Sequence, residues 1–454
     1  MKQEILVIQL ARLGDLVQSI PLIMDLKDKN NHITILCQSK LASLARKIKG
    51  IDEVISLPWD DVQRNFDYTQ FYELFKKKYS IVFNLNHSLI TALIAKGLCN
   101  GEVVGNLFES GMVKRNLWLD FVRCLCLNRK FSPFNLVDVF RYLVSKKQKL
   151  IYPMIDIDSS PYNKQSPFIV FLLGAGAEKR RWPITNFIQL SEILKKDFKI
   201  VLVGSKGEKL LSKVFSHRSK ADFMDLVGKL DLLELCKVLK SASLVIGSDT
   251  GPLHLAAVLG VRTLGLFFGP AWVHETGPYG NGHFVFQAEM PCSPCLDKSP
   301  CRHYSCRKLI TPELVASKVY EIIDKKQMTI KMPDFLNFYV SHYDGKTTHY
   351  LSQKADNEQA IRMLYRDVVN ALFGILNSKK IKISKWLLKE IENQFYLVTH
   401  DFLLPSNSMF IPLFHFLNQF EREERKMLLN KIFNHLWEKL SNEPKAFSQK
   451  SFSF

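Results

Sequence analysis

Short apolar runs alternate with amphipathic stretches along the first 160 residues of the chain. The runs lack polar alternation, which is typical of strands in a parallel sheet that is covered on both faces. A helical pattern separates several of them, for example over residues 89–98. The predicted strands are 4–10, 33–38, 54–57, 81–85 and 103–105. The pattern therefore predicts a doubly wound α/β domain over residues 1–160.

A polar, proline-containing stretch at 159–167 indicates a linker to a second domain. The alternation then restarts and predicts a second α/β domain over residues 166–330. Its predicted strands are 168–173, 199–203, 244–247, 263–268 and 283–287. Strand signals weaken beyond residue 330, and residues 357–440 carry helical periodicity. We therefore expect an α/β fold of two doubly wound domains, followed by a helical extension over residues 331–454.

The loops that follow strands are the places to look for a ligand, because open α/β sheets bind outside the carboxyl ends of their strands. The segment "LVIGSDTGPLHLAAVLGV" at 244–261 is a buried strand, a tight turn and a helix that opens at Gly251-Pro252. Free amide hydrogens and the positive dipole end at such a helix start bind phosphate. His254 lies in the first turn and can reach the same anion. An ordinary capped helix without a ligand is the alternative interpretation.

The segment "ARLGDLVQSIP" at 11–21 places Asp15 just after the first strand and at the start of a helix. Asp15 is either a helix cap or a proton acceptor. A helix start lowers the pKa of an aspartate, so we expect Asp15 to be a weak base. Pro21 is expected to kink the helix or to end it.

Five segments, in consistent order over residues 1–325, closely resemble glycosyltransferase family 9, the bacterial heptosyltransferases of lipopolysaccharide core assembly. Five ordered segments are more specific than any one of them alone. The segments are "ILVIQLARLGDLVQSIPLI", "NLNHSLITALIAK", "GAGAEKRRWPITNF", "VLVGSKGEKLL" and "SDTGPLHLAAVLGVRTLGLF". The resemblance implies the GT-B fold, in which two Rossmann-like domains face each other across a cleft. It also implies inverting transfer of heptose from ADP-heptose without a catalytic metal or other cofactor, with the nucleotide on the second domain and the acceptor on the first.

The resemblance assigns roles to single residues. Asp15 matches the catalytic base of the family, and Asp249 matches the acid that contacts the donor sugar. Arg180 stands where many members have a phosphate-binding lysine; it keeps the positive charge but changes the donor geometry. The remaining matches are Thr250, Gly251 and His254 near the diphosphate, and Glu208 at the nucleotide ribose.

The segment "PCSPCLDKSPCRHYSC" within residues 291–306 gathers four of the nine cysteines: Cys292, Cys295, Cys301 and Cys306. Four closely spaced thiolates can hold structural zinc or iron in tetrahedral geometry. A loop of reduced, metal-free cysteines is the alternative. The related autotransporter heptosyltransferases, which modify proteins, are similar in having an iron-bound cysteine loop.

The formal net charge of +18 favours an anionic partner, although a generally basic surface that aids solubility explains it as well. No uninterrupted apolar run in the sequence is long enough to cross a bilayer, so we expect a cytoplasmic protein, with peripheral contact to the inner membrane as a further option. The predicted partners are a nucleotide-sugar donor and an anionic glycolipid or glycan acceptor, without nucleic acid. Two alternatives stay open: transfer to a protein, and a basic zinc-knuckle protein that binds nucleic acid.

Overall fold

The computed structural model describes residues 2–59, 74–116, 134–144, 147–158, 167–296, 303–324 and 330–354, together with the single residues 118, 119, 122, 129, 130, 132, 301, 362 and 366. The chain divides into two compact units, Met1–Lys114 with Asn135–Lys354 and Arg115–Phe134 with Ala355–Phe454. In the second unit, the rings of Trp118 and Phe134 meet edge to face at 5.2 Å. Within the described residues, no helix is long and apolar enough to span a membrane.

A six-stranded sheet forms the first domain of the larger unit, with strand order β3-β2-β1-β4-β5-β6. Its strands are β1 (Gln3–Gln9), β2 (Asn31–Gln38), β3 (Glu53–Leu57), β4 (Tyr79–Asn84), β5 (Cys99–Glu109) and β6 (Met112–Arg115). The first five run parallel. The apolar core of β1 is almost inaccessible to solvent, which confirms a sheet covered on both faces.

An eight-stranded sheet forms the second domain, with strand order β14-β13-β12-β11-β10-β7-β8-β9. Its strands are β7 (Phe168–Leu172), β8 (Lys199–Val203), β9 (Phe223–Asp225), β10 (Leu244–Gly247), β11 (Thr263–Phe267), β12 (Phe284–Ala288), β13 (Leu336–Tyr343) and β14 (Thr348–Ser352). Strands β7 to β12 pair in parallel, whereas β13 and β14 add an antiparallel edge. The predicted α/β class with two Rossmann-like domains is confirmed.

Helices connect the strands. They are α1 (Leu13–Leu26), α2 (Ala42–Ala45), α3 (Leu89–Leu98), α4 (Leu136–Arg141), α5 (Ile184–Leu194), α6 (Lys209–Arg218), α7 (Leu232–Ser241), α8 (Gly251–Val258), α9 (Val273–Thr276), α10 (Ser305–Leu309) and α11 (Pro312–Asp324). We expected Pro21 to kink helix α1 or to end it; the helix contains Pro21 and continues to Leu26, so the second of these two expectations is wrong. Most of its residues beyond the first turn are buried, and tertiary packing holds the helix together through the proline.

The prediction of a helical extension from residue 331 is wrong for β13 and β14. Leu336 and Phe338 are buried against the neighbouring strand β12, and the hydrogen-bonding register pairs Phe286 with Phe338. The edge of the parallel sheet thus gains a covering hairpin. The periodic segment 357–440, on which the helical prediction rested, lies outside the described residues apart from residues 362 and 366, and so does most of the predicted linker.

A buried ion pair of the first domain is hydrogen-bonded to the second domain. Arg141 on α4 donates to both carboxylate oxygens of Asp25 on α1, at 2.6 Å and 2.9 Å, and both side chains are fully buried. The guanidinium also donates to the hydroxyl groups of Tyr279 and Tyr343 in the second domain. Because every charge in this network has a partner, it fixes α1 relative to the second sheet.

Candidate active site

The loop between β1 and α1 is braced from the neighbouring strand. The side chain of Asn86, just beyond β4, accepts from the backbone N–H of Leu10 at 2.7 Å and donates to Gln9 Oε1 at 2.7 Å. Gln9 in turn donates to the backbone carbonyl of Asp15 at 3.4 Å. The backbone N–H of Arg12 donates to Asp15 Oδ2 at 3.1 Å, so Asp15 does serve as a cap of α1.

Capping does not make Asp15 a weaker acid-base group. Burial raises the pKa of its carboxyl above the ordinary value, and the hydrogen bond and charge of Arg12, with the charge of His254, offset this only in part. The expectation of a lowered pKa is therefore wrong, because desolvation of the carboxylate outweighs the helix start. A carboxylate with a raised pKa is the better proton acceptor.

Helices α1 and α8 meet at their N-terminal ends, one from each domain. A Cβ atom added to Gly251 would lie 3.0 Å from the backbone nitrogen of Gly14, and one added to Gly14 would lie 3.5 Å from Gly251 Cα. At Gly251 a side chain would thus be crowded by the backbone of α1, whereas at Gly14 the contact would be an ordinary one. Two positive helix ends therefore face the same space, which favours an anion there.

A chain of short polar contacts links Asp249 to the first domain through His254, whose Nε2 can donate to Asp249 or accept from Gln18 but not both at once. Asp249 accepts from Thr276 Oγ1 at 3.1 Å through Oδ2, and its Oδ1 lies 3.1 Å from His254 Nε2. The same histidine nitrogen lies 3.2 Å from the side-chain nitrogen of Gln18 on α1. His254 is 6 % exposed. The turn at the start of α8 is thus held in place by groups from both domains.

Two guanidinium groups approach the loop after β7 from opposite domains. A Cβ atom built on Gly176 would lie 3.1 Å from Arg180 Nη2 and 3.9 Å from Arg12 Nη1. Arg180 Nη1 also lies 3.8 Å from Asp249 Oδ2, and the arginine keeps 21 % of its side chain exposed. Arg12 was not among the predicted site residues. Its position after a strand end and before Asp15 was the available signal.

Glu208 lies in the turn after β8. Its Oε2 accepts from the backbone N–H and the hydroxyl of Ser205, at 2.7 Å and 2.6 Å. The carboxylate also limits the space beside Gly174, where an added Cβ would meet Glu208 Cδ at 2.9 Å. The acid is therefore fixed against the loop after β7.

All predicted catalytic and donor-site residues line one cavity of about 590 Å³. They are Asp15, Arg180, Glu208, Asp249, Thr250, Gly251 and His254. Arg12, Gln18 and Thr276 line the same cavity. The hydroxyl oxygen of Thr250 is buried and has no hydrogen-bond partner in the described structure. The cavity can thus hold an anion between positive groups, with the carboxylates of Asp15, Glu208, Asp231 and Asp249 also on its wall.

The cysteine segment lies against the loop that carries Arg180. Lys179 Nζ donates to the carbonyl of Leu296 at 3.3 Å, and Arg307 donates to the carbonyl of Glu178 at 3.2 Å. Cys292 is exposed, Cys306 is buried, and the two other cysteines of the segment are intermediate. Across the described ranges, no group of three or more His, Cys, Asp or Glu is arranged to hold a metal ion. The predicted metal at Cys292, Cys295, Cys301 and Cys306 therefore gains no support.

Two facing sheets with a ligand cavity at the carboxyl ends of their strands define the GT-B fold. The sequence profile of glycosyltransferase family 9 (heptosyltransferase) matches residues 70–304, a little over half of the chain. The chain belongs to this family.

The chain is also similar to curated heptosyltransferases and to solved structures of family 9 glycosyltransferases. A lipopolysaccharide heptosyltransferase 1 of Campylobacter coli is 25% identical over 291 residues, which cover 58% of this chain and 83% of that protein. Lipooligosaccharide heptosyltransferase 2 of Campylobacter jejuni is 26% identical over 33% of this chain, and the match spans only about half, 48%, of the relative's length. The crystal structure of a family 9 glycosyltransferase from Veillonella parvula has a TM-score of 0.59 at 18% identity and covers 72% of this chain and 99% of that one. The E. coli heptosyltransferase WaaC with ADP has a TM-score of 0.52 at 18% identity, covering 70% and 100%.

Proposed function

We propose that the protein is an inverting glycosyltransferase that moves a sugar, heptose in the first instance, from an ADP-sugar to a saccharide of the lipopolysaccharide core or a related glycan. One observation carries the proposal: a carboxylate with a raised pKa, Asp15, lines the same cavity as the anion-binding helix start of the other domain. The family membership supports the reaction class. The proposed donor rests on relatives with ADP and ADP-2-deoxy-2-fluoro heptose bound.

In the proposed reaction, Asp15 accepts the proton of the acceptor hydroxyl as that oxygen attacks the anomeric carbon of the donor. The glycosidic C–O bond breaks on the opposite face of the sugar, so the configuration inverts. Burial favours this role, because the raised pKa brings the carboxylate closer to the pH at which it works. Asp249, held by Thr276 and His254, would orient the donor sugar.

The leaving nucleoside diphosphate gains negative charge as the bond breaks. The amide hydrogens at the start of α8, the hydroxyl of Thr250, Arg180 and Arg12 are the groups in the cavity that would stabilise this charge. These donors are positioned before the reaction begins, since polar side chains from both domains contact the turn. Glu208, fixed by Ser205, is assigned to the nucleotide ribose.

The alternative of a zinc-knuckle protein that binds nucleic acid is disfavoured by the family membership. The choice between a saccharide and a protein acceptor is a separate matter. We propose the saccharide, because the curated relatives are lipopolysaccharide and lipooligosaccharide heptosyltransferases.

A donor screen tests the proposal. Binding and transfer would be measured with ADP-heptose, other ADP-sugars, and UDP- and GDP-sugars, using a lipopolysaccharide inner-core saccharide as acceptor. We expect ADP-heptose to bind and to be consumed with inversion. Asp249→Asn should weaken donor binding about tenfold, the usual cost of a lost charge-assisted hydrogen bond, whereas Asp222→Asn, an exposed aspartate of the same domain, should not. Failure of every nucleotide sugar to bind would refute the proposal.

A further inference from the structure

Helix α3 exposes mostly apolar side chains, with Lys96 as the charged residue among them. Its buried positions are Thr91, Ala92, Ile94, Ala95 and Leu98, which pack towards the sheet. The opposite side carries Leu89, Ile90 and Leu93, which are 50%, 36% and 44% exposed. These three positions and Lys96 lie within one contiguous arc of the helix surface. A helix of a water-facing surface normally presents polar residues there, so this face calls for an apolar partner.

The apolar face begins at the edge of the sheet that holds the catalytic loop. Helix α3 is capped by Ser88, two residues after the Asn86 side chain that braces the backbone of Leu10. Strand β5 runs parallel to β4 and continues past its last pairing, Asn84 with Gly105, into the turn before β6. Met112, just after that turn, is 58% exposed. The exposed apolar groups thus lie on the Asp15 side of the first domain.

The surrounding segment is basic. Residues 74–116 contain six lysines and arginines against two glutamates, and no acidic residue occurs within α3. Lys77 pairs with Glu4 and Glu53, and Lys114 pairs with Glu109, so Lys96 is the basic residue that α3 itself presents beside its apolar side chains. Lys96 is exposed, and its ammonium lies 5.3 Å from the ring centre of Phe108 on β5. Apolar side chains next to lysines suit a surface that offers both hydrocarbon and negative charge, which is the interfacial region of an anionic bilayer.

We propose that Leu89, Ile90, Leu93, Lys96 and Met112, hereafter the docking face, place the first domain on an anionic lipid surface. The inference rests on the proposed function only for the identity of the acceptor. It deepens that function, because a saccharide anchored in the same bilayer would then reach Asp15 from the membrane side. Charge complementarity selects the lipid surface over a soluble protein acceptor as the occupant.

Vesicle co-sedimentation of the full chain tests the docking face. Vesicles of phosphatidylethanolamine with phosphatidylglycerol would be compared with vesicles of phosphatidylcholine alone. We expect binding to the anionic vesicles, reduced about tenfold or more by the double substitution Leu89→Asn with Leu93→Asn. Lys96→Gln should lower binding about fivefold, and added salt should reduce that difference. Leu210→Asn, at a leucine on α6 of the second domain that is 71% exposed, is the matched control and should bind like the unaltered protein.

Transfer to a water-soluble core saccharide, measured in parallel, separates this inference from the proposed function. The double variant should retain the unaltered rate, since its substitutions are on the surface and outside the cavity. Failure of the unaltered protein to bind anionic vesicles, or equal binding by the double variant, would overturn the docking face even if transfer is observed. Vesicle binding without transfer to any acceptor would instead count against the proposed function. Transfer to a soluble protein without vesicle binding would favour the protein acceptor and reject the lipid surface.

Discussion

Replacing Asp15 by asparagine tests whether this carboxylate is a base or only a helix cap. Asparagine retains a side-chain oxygen that can accept the backbone N–H of Arg12, now bonded to Asp15 Oδ2 at 3.1 Å. The cap of α1 is therefore preserved, whereas the proton acceptor is lost. A positioned general base contributes a factor of about 10² to 10⁴ to the rate, so kcat should fall by that factor. This corresponds to a rise of about 2.7–5.5 kcal/mol in the activation free energy.

The stability of the Asp15→Asn variant provides an independent reading of the same site. Burial raises the folded-state pKa of Asp15 above its unfolded value, so the folded state disfavours the carboxylate at neutral pH. The resulting penalty on folding is present above the folded pKa and disappears as the pH falls below the unfolded pKa. Removal of the charge should therefore leave the melting temperature at pH 7 unchanged or higher.

The assay combines steady-state transfer, calorimetric binding of the donor and thermal unfolding. Donor affinity should change by less than about threefold, because the cavity keeps its positive groups. Asp28→Asn, at an exposed aspartate of the first domain, serves as the control and should leave all three measurements unchanged. If Asp15→Asn kept more than about a tenth of the rate, the carboxylate would not be the base. A fall in melting temperature together with the rate would point to a structural role.

Three further predictions concern arginines. Arg12→Gln removes one of the two guanidinium groups beside Gly176 and should raise the donor KM about tenfold, as seen in initial rates over a donor titration. Arg307→Ala removes the hydrogen bonds to the carbonyls of Glu178 and Arg181 on either side of Arg180. It should raise the KM for the nucleotide sugar about threefold with little change in kcat. Lys308→Ala is the neighbouring exposed control, and an equal effect there would reject a positioning role for Arg307. Arg141→Leu leaves the buried Asp25 carboxylate without its cation and should cost about 3–5 kcal/mol in urea unfolding, so a loss below about 1 kcal/mol would contradict the described network.

The parallel strands were predictable because their apolar runs are continuous: β8 and β10 begin and end where the pattern placed them. Strands β13 and β14 were not predicted, because the weak pattern after residue 330 was assigned together with the helical periodicity further along. The short edge strand β9 also gave no signal, since three residues are too few to show a period.

The candidate site was predictable where local motifs carry it, and not where distant residues meet. The turn "SDTGP" and Asp15 can each be recognised within a single segment, and residues of both line the same cavity. Arg12 and Gln18 were not predicted, because each is part of the site only through a residue of the other domain. Arg12 lies near Gly176, and Gln18 contacts His254. The direction of the Asp15 pKa shift also could not be predicted from the sequence. A helix start is visible in the sequence, whereas the burial that raises the pKa depends on both domains.

Donor binding should itself strengthen the base. The free cavity surrounds Asp15 with positive groups, and the charges of Arg12 and His254 hold its pKa below the value that burial alone would give. A bound diphosphate would neutralise these charges and add negative charge beside the carboxylate, which raises its pKa further. The acid limb of kcat reports the donor-bound protein, and that of kcat/KM for the donor reports the free protein. At saturating acceptor, the acid limb of kcat should therefore lie at a higher pH than the acid limb of kcat/KM. Arg12→Gln should reduce this difference in pH, because it raises the pKa of Asp15 in the free protein. Coincident limbs in the unaltered protein would mean that the diphosphate binds too far from Asp15 to act on it.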